Sequence, residues 1–292
     1  MNAATAQGTV EEKERRLKAR LAELGQVAVA FSGGVDSSYL LSAALDVLGP
    51  ARVLALTADS PLIPRRELAQ AGALAGRLGA AHRVIPLDPL SEPAVANNPP
   101  DRCYYCKRMV FSALQAEARR AGFPLLLHGA NADDWQDYRP GQRAAEELGV
   151  VAPLDEVGLT KAEIRELSRR RGLPTWDAPA QACLATRLPF GATLSAPALR
   201  MIERAEDYLR ERFGLRALRV RAHGRVARLE LPPADWPAVL DVKARQELLA
   251  TFAEIGFGAV ALDLAGLRSG SMNALSGFER NEEAKMESIK RE

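Results

Sequence analysis

The chain has 292 residues, with 39 Lys and Arg against 37 Asp and Glu, and three cysteines. At roughly 100–200 residues per domain that is one large or two modest domains, and a net charge of +2 leaves no basic coat for nucleic acid and no membrane-surface character. No run approaches the roughly 18 apolar residues of a membrane span, residues 1–16 lack a secretory apolar core, and three thiols read as a reduced, cytoplasmic chain rather than a disulfide framework.

In chain order, Leu17, Leu21 and Leu24 recur at helical spacing, and Val27 to Phe31 is an apolar strand closed by Ser32-Gly33-Gly34. Tyr39 to Leu48 predicts a helix, Val53 to Leu56 a strand, Leu68 to Leu78 a helix and Val84 to Leu87 a third strand. Residues 88–104, rich in Pro and Asn, predict a loop; a helix striped by Phe111, Leu114, Ala118 and Ala121 and a strand from Leu125 to His128 follow. Short buried runs alternating with amphipathic helices predict an α/β fold, a parallel sheet with helices on both faces. Pro174 to Gly191 reads as a second irregular stretch. After Ser195 comes a smaller α+β domain: a helix through Leu199 and Phe213, paired strands around His223-Gly224, a helix through Leu248 and Ile255, and a last strand from Gly258 to Leu264. The expected division is 1–192, 193–275 and a charged tail, 276–292. Trp176 and Trp236 are expected in the core.

Ser32-Gly33-Gly34-Val35-Asp36-Ser37-Ser38 follows a strand and opens a helix. Small residues let main-chain N–H groups approach phosphate oxygens, and the helix N-terminus adds partial positive charge. Neither G-x-x-x-x-G-K-[ST] nor G-x-G-x-x-G is present. The string resembles the pyrophosphatase loop of the PP-loop ATPases (adenine nucleotide α-hydrolase-like fold), the family that includes NAD synthetase and tRNA thiolases. The resemblance implies ATP cleaved between its α and β phosphates, with Ser32, Gly33, Gly34, Ser37 and Ser38 holding pyrophosphate and Asp36 near Mg²⁺. Strand-end residues such as Thr57 would face the nucleotide.

Cys103 and Cys106 form C-x-x-C, and Cys183 lies far downstream. The histidines His82, His128 and His223 show no partner spacing for a closed zinc site, and no strand leads into the C-x-x-C as in a thioredoxin dithiol. Small buried thiols are the bland reading; three thiolates with an open fourth position suit a 4Fe-4S cluster.

Further strings extend the match: Asp101 to Lys107, Gly129 to Asp134, Asp137 to Gly141, Leu159 to Arg165 and Cys183 to Arg187. Together these are similar to the LarE family of pyridinium-3,5-biscarboxylic acid mononucleotide sulfurtransferases, which serve nickel-pincer cofactor synthesis for lactate racemase. The resemblance implies adenylation of a pyridinium carboxylate, then displacement of AMP by sulfur. Cys103, Cys106 and Cys183 imply the cluster-bearing kind, recharged by sulfide or another sulfur donor; the other kind sacrifices the sulfur of the residue matching Cys183. Arg219, Arg221 and Arg268 would take the substrate phosphate, while Arg225 and Arg228 read as a solvated strand face. Lys107, Lys161 and Arg165 are cations within possible reach of phosphates, though each alone is more often a surface charge. Asp133 and Asp134 could serve a metal or cap a helix. A homo-oligomer is implied. The rivals are a tRNA thiolase, disfavoured by the near-neutral charge, an ammonia-using ligase, which needs no thiols, and a non-catalytic cluster protein, which needs no intact loop.

Overall fold

The computed structural model describes residues 8–136, 140–179 and 182–268. The expected tail at 276–292, the Asp137-Tyr138-Arg139 part of one motif and Ser269-Gly270 beside Arg268 lie outside the described residues. The chain divides into two compact units, Met1–Pro89 with Asp101–Gln181, and Leu90–Pro100 with Ala182–Glu292.

The first unit begins with α1 (Val10–Leu24), started by a capping box in which Thr9 and Glu12 satisfy each other's main-chain N–H groups. Then follow β1 (Val27–Ala30), α2 (Val35–Leu48), β2 (Val53–Asp59), α3 (Arg65–Arg77) and β3 (Ala81–Pro86). The loop carries α4 (Pro93–Ala96), a single turn, before α5 (Arg102–Arg120), β4 (Leu125–Leu127), α6 (Pro140–Glu147), α7 (Pro153–Glu156) and α8 (Lys161–Arg170). The strands form a parallel sheet in the order β3-β2-β1-β4. Strand alternation sends Val27, Val29, Val53, Ala55 and Leu127 into a core with α1, α2, α3 and α8, and sends Ala28, Leu54, Leu56 and Leu126 to the opposite face against α5. Both faces are therefore covered, as the unbroken apolar strands require. Each fully buried leucine contributes roughly 1.5–3 kcal/mol.

One expectation changes here. The predicted loop at 88–104 ends early, because α5 begins at Arg102, directly after its N-cap residue Asp101, and places Cys103 and Cys106 in its first two turns. The prolines at 99 and 100 hide this start from periodicity, since helix residues beyond them carry a polar, cysteine-rich pattern.

The second unit contains α4, a 3₁₀ turn at Leu184–Arg187, α9 (Ala196–Phe213), β5 (Arg219–His223), β6 (Val226–Glu230), α10 (Trp236–Leu240), α11 (Val242–Ile255) and β7 (Ala259–Leu262). β5 and β6 are antiparallel and β7 is parallel to β6. Gly191 N–H bonds Asn98 O, Leu194 N–H bonds Ala96 O, and the Asn98 side chain donates to Pro189 O. These bonds stitch Leu90–Pro100 to the start of the second unit, so the division falls at Gln181 rather than 192.

This unit buries two ion pairs. Arg187 forks onto Glu206, which also accepts from Val220 N–H and Arg210, and Arg221 pairs with Glu230. Burial opposes ionisation of Glu206, but Arg187 and the further donors outweigh it and hold its carboxyl below the ordinary glutamate range. Stability from such a depressed carboxyl is present above the ordinary glutamate value and lost as pH falls through the folded one. Glu206→Ala strands Arg187 in the interior and should cost about 3–5 kcal/mol in urea unfolding at neutral pH. The gap to wild type should narrow as acid protonates wild-type Glu206.

Candidate active site

In an open α/β sheet the crevice lies where neighbouring strands lead away in opposite directions at their carboxyl ends. In the order β3-β2-β1-β4, that point is between β1 and β4. The carboxyl end of β1 is the Ser32-Gly33-Gly34 loop. Gly33 takes a φ of +73°, and a Cβ there would lie 3.0 Å from the Ala71 main chain of α3, so both conformation and space require glycine. Ser32 and Ser37 hydroxyls bond each other at 3.1 Å, Gly34 N–H donates to Ser32 Oγ, and Ser37 Oγ donates to Gly34 O. Across the crevice, the carboxyl end of β4 is Gly129. A Cβ there would come within 2.9 Å of Ser37 N and 3.1 Å of Asp36 C.

Asp36 stands on the first turn of α2. Its Oδ2 accepts from Lys161 Nζ at 2.5 Å, while Oδ1 is buried with no hydrogen-bond partner, as is Ser38 Oγ. Burial pushes the Asp36 carboxyl up; Lys161 works against this, Asp134 adds to it and Arg165 opposes it. Lys161 opens α8, held by a Thr160–Glu163 capping box, and its N–H donates to Asp133 Oδ2. Asp133 therefore serves the start of α8. Asp134 accepts from Asn131 N–H. Glu163 is clamped by the buried Lys13 of α1 at 2.8 and 2.9 Å. Thr57 is buried, its hydroxyl donating to Phe31 O at 2.6 Å and meeting His82 Nε2 at 2.8 Å. With that proton given to Phe31 O, His82 Nε2 is the donor, and burial pushes the imidazole down. Thr57 thus holds the loop's first turn from beneath.

Cys103 and Cys106, three residues apart on α5, lie on one helix face. Both are half-buried and unbridged, as is Cys183 in the second unit. Arg102 Nη2 lies 3.7 Å from Cys103 Sγ. Lys107 Nζ lies over the Phe111 ring, 5.1 Å from its centroid, and Arg165 donates to Trp176 O and Ala178 O. Neither cation pairs with an acid in these contacts.

In the second unit Arg219 is half-buried and donates to Arg268 O at 2.7 Å, while the Arg268 residue is exposed. Arg221 is 2 % exposed and bonds Glu230 and Thr186 O. Arg228 overturns its solvated reading by pairing with Asp263 and Glu230, because β7 brings Asp263 alongside. Trp176 overturns its core placement at 41 % exposure; Trp236 is half-buried and its indole N–H reaches Leu231 O.

The NAD synthase family pattern matches residues 9–121. The pyridinium-3,5-bisthiocarboxylic acid mononucleotide synthase of Lactiplantibacillus plantarum is 40% identical over 91% of this chain and 95% of its own length. This chain belongs to that synthase family. Protein slr1717 of Synechocystis sp. is 41% identical over 90% of this chain and 98% of its own, and protein MJ0830 of Methanocaldococcus jannaschii is 30% identical over 84% and 91%.

Mg²⁺, used with ATP in this family, fits a residue present. The orphaned, buried Asp36 Oδ1 is the hard oxygen donor that Mg²⁺ takes beside phosphates. The three unbridged cysteines are the donor type of an iron–sulfur cluster; among the described residues no three His, Cys, Asp or Glu side chains are already gathered for a metal ion. Sequence reasoning in this synthase left Gly129 and the Lys161–Asp36 pair unassigned. The signals were a glycine directly after a strand and a T-x-x-E box that makes Lys161 the first helical residue.

Gly129→Ala should displace the Asp36–Ser37 main chain and weaken ATP binding at least about tenfold, close to 1.4 kcal/mol. Gly76→Ala, with open space at its Cβ, should leave ATP binding unchanged by calorimetry.

Proposed function

We propose that this protein is an ATP-dependent sulfurtransferase that converts pyridinium-3,5-biscarboxylic acid mononucleotide into its thiocarboxylate, in nickel-pincer cofactor synthesis. Family membership supports the substrate, through the relative's name. The observation that carries the chemistry is the β1–α2 loop, where an orphaned Asp36 oxygen stands beside glycine N–H groups and serine hydroxyls at the sheet's crevice.

A carboxylate is a poor electrophile because its leaving group would be an oxide. In the first half-reaction a substrate carboxylate oxygen attacks the α-phosphorus of ATP, and the bond to the β-phosphate breaks. Gly33 and Gly34 N–H groups, with the hydroxyls of Ser32, Ser37 and Ser38, hold the departing pyrophosphate where its charge grows. Lys161 keeps one Asp36 oxygen engaged and leaves the other for Mg²⁺, which when bound supplies charge neutralisation on the phosphates. In the second half-reaction sulfur adds to the acyl carbon and AMP leaves with the electron pair. Repetition at the second carboxylate gives the bis-thiocarboxylate.

Cys103, Cys106 and Cys183 are assigned as ligands of a cluster whose open iron would carry the transferred sulfur. A 4Fe-4S cluster, when bound, supplies renewable sulfur where a sacrificial cysteine would be consumed. Three unbridged thiols suit a reducing, cytoplasmic setting, with sulfide or another donor as recharging partner. Arg219, Arg221 and Arg268 are the arginines assigned to the substrate phosphate, for which forked donors are matched; Arg221 is oriented by Glu230 and Thr186 O. A homo-oligomeric state is part of the same reading. No described helix is long and apolar enough to cross a membrane.

Pyrophosphate should be released only when the pyridinium substrate is present, and Asp36→Asn should slow that release at least about tenfold, or about 1.4 kcal/mol in barrier. Anaerobically reconstituted protein should hold on the order of four irons per chain. Cys103→Ala should lose the iron, retain pyrophosphate release and lose multiple-turnover sulfur transfer. Iron-free protein that instead loses the sulfur of Cys183 would mean sacrificial chemistry.

A further inference from the structure

Arg165 is one turn beyond Lys161 on α8, and i,i+4 spacing puts both on one face. Lys161 reaches Asp36 in the phosphate loop. Arg165 aims its donors elsewhere: Nη1 donates to Trp176 O and Nη2 to Ala178 O, each at 2.7 Å, while its charge still acts on Asp36. Trp176 N–H to Leu173 O and Ala178 N–H to Thr175 O close turns within the segment itself, and neither ties it to another element. Arg165 does. Trp176 is 41 % exposed and Ala178 packs against the sheet core; the Arg165 fork adds directional bonds to that packing.

The side chain suits the task. A guanidinium is a permanently charged planar fork with parallel donors and can span two carbonyls, whereas an ammonium is a point donor. Hydrogen bonds from a charged donor are about twice as strong as neutral ones. The chain continues from Ala178 toward Cys183 within a few residues.

We infer that Arg165 is a positioning residue for the sulfur-transfer half-reaction: it moors residues 176–178, the lead-in to Cys183, to the helix whose first residue engages the phosphate loop. This rests on the adenylation-and-sulfur-transfer reading above. Arg165→Lys keeps the positive charge that acts on Asp36 but gives up the fork onto the two carbonyls, so it should leave adenylation in place while the sulfur step suffers. A purely structural arginine would affect both steps together or neither.

The test uses full-length, anaerobically reconstituted Arg165→Ala, Arg165→Lys and, as a control, Arg169→Ala, whose guanidinium pairs with Glu166 on the outer face of α8. Substrate-dependent ATP–pyrophosphate exchange reports adenylation, single-turnover thiocarboxylate formation reports sulfur transfer, and amide hydrogen exchange over residues 174–179 reports the mooring directly. Arg165→Lys should keep pyrophosphate exchange within about threefold. It should slow sulfur transfer and speed amide exchange in 174–179 by at least about tenfold each, as loss of charge-assisted bonds implies. Arg165→Ala should speed amide exchange at least as much and, with the charge on Asp36 also removed, lower both half-reactions, and Arg169→Ala should match wild type in all three. Equal loss of both half-reactions in Arg165→Lys, or unchanged amide exchange in either Arg165 variant, would overturn the inference. If Arg165→Ala does not fold, the Arg165→Lys split decides by the same criteria. Absence of pyrophosphate exchange in wild type would refute the functional reading, while the amide exchange of 174–179 would still judge the mooring.

Discussion

The site depends on a contact that has no room for a side chain. Gly129 brings the end of β4 against the main chain of Asp36 and Ser37, and Gly33 brings the same loop against α3. These close approaches give the strand-to-helix turn a fixed shape, with its N–H groups and hydroxyls gathered at one point. Thr57 holds the turn from beneath by donating to Phe31 O. Preorganisation of this kind matters for catalysis because the donors need not reorient as charge develops on a leaving group.

Electrostatics is layered onto that frame through α8. Its first residue neutralises one side of Asp36, its capping box recruits Lys13 from α1 through Glu163, and Arg171 at its end binds Glu14, Ser42 and Asp46. The helix is thus tied to α1 and α2 along its length, and Lys161 reaches the acid from a fixed base. An untethered lysine would lose side-chain entropy on making the same bond. The second unit follows a different rule: its arginines 187 and 221 are paired with buried Glu206 and Glu230, which shapes the strand face.

Much of this was legible in the sequence because it depends on local pattern. Alternation in Val27 to Phe31 and Val53 to Leu56 is the division of the sheet's two faces, and the S-G-G-x-D-S string is the loop itself. What periodicity could not show were the consequences of tertiary proximity. The start of α5 at Arg102 was hidden by the prolines ahead of it, so the C-x-x-C read as loop although it forms a helical face. Arg228 read as solvated because Asp263, its partner, arrives from β7, and Trp176 read as core because large apolar residues usually are. The Lys161–Asp36 pair joins residues 125 positions apart, a distance across which spacing carries no information.

The central claim is that this loop directs attack of a substrate carboxylate on the α-phosphorus of ATP. Transfer of a heavy-oxygen label tests it most directly. With both carboxylates of the pyridinium mononucleotide labelled, each completed sulfur transfer should leave one labelled oxygen in the phosphate of AMP and none in pyrophosphate, read by mass spectrometry. Label appearing in inorganic phosphate with ADP as co-product, or unlabelled AMP alongside thiocarboxylate, would contradict the account.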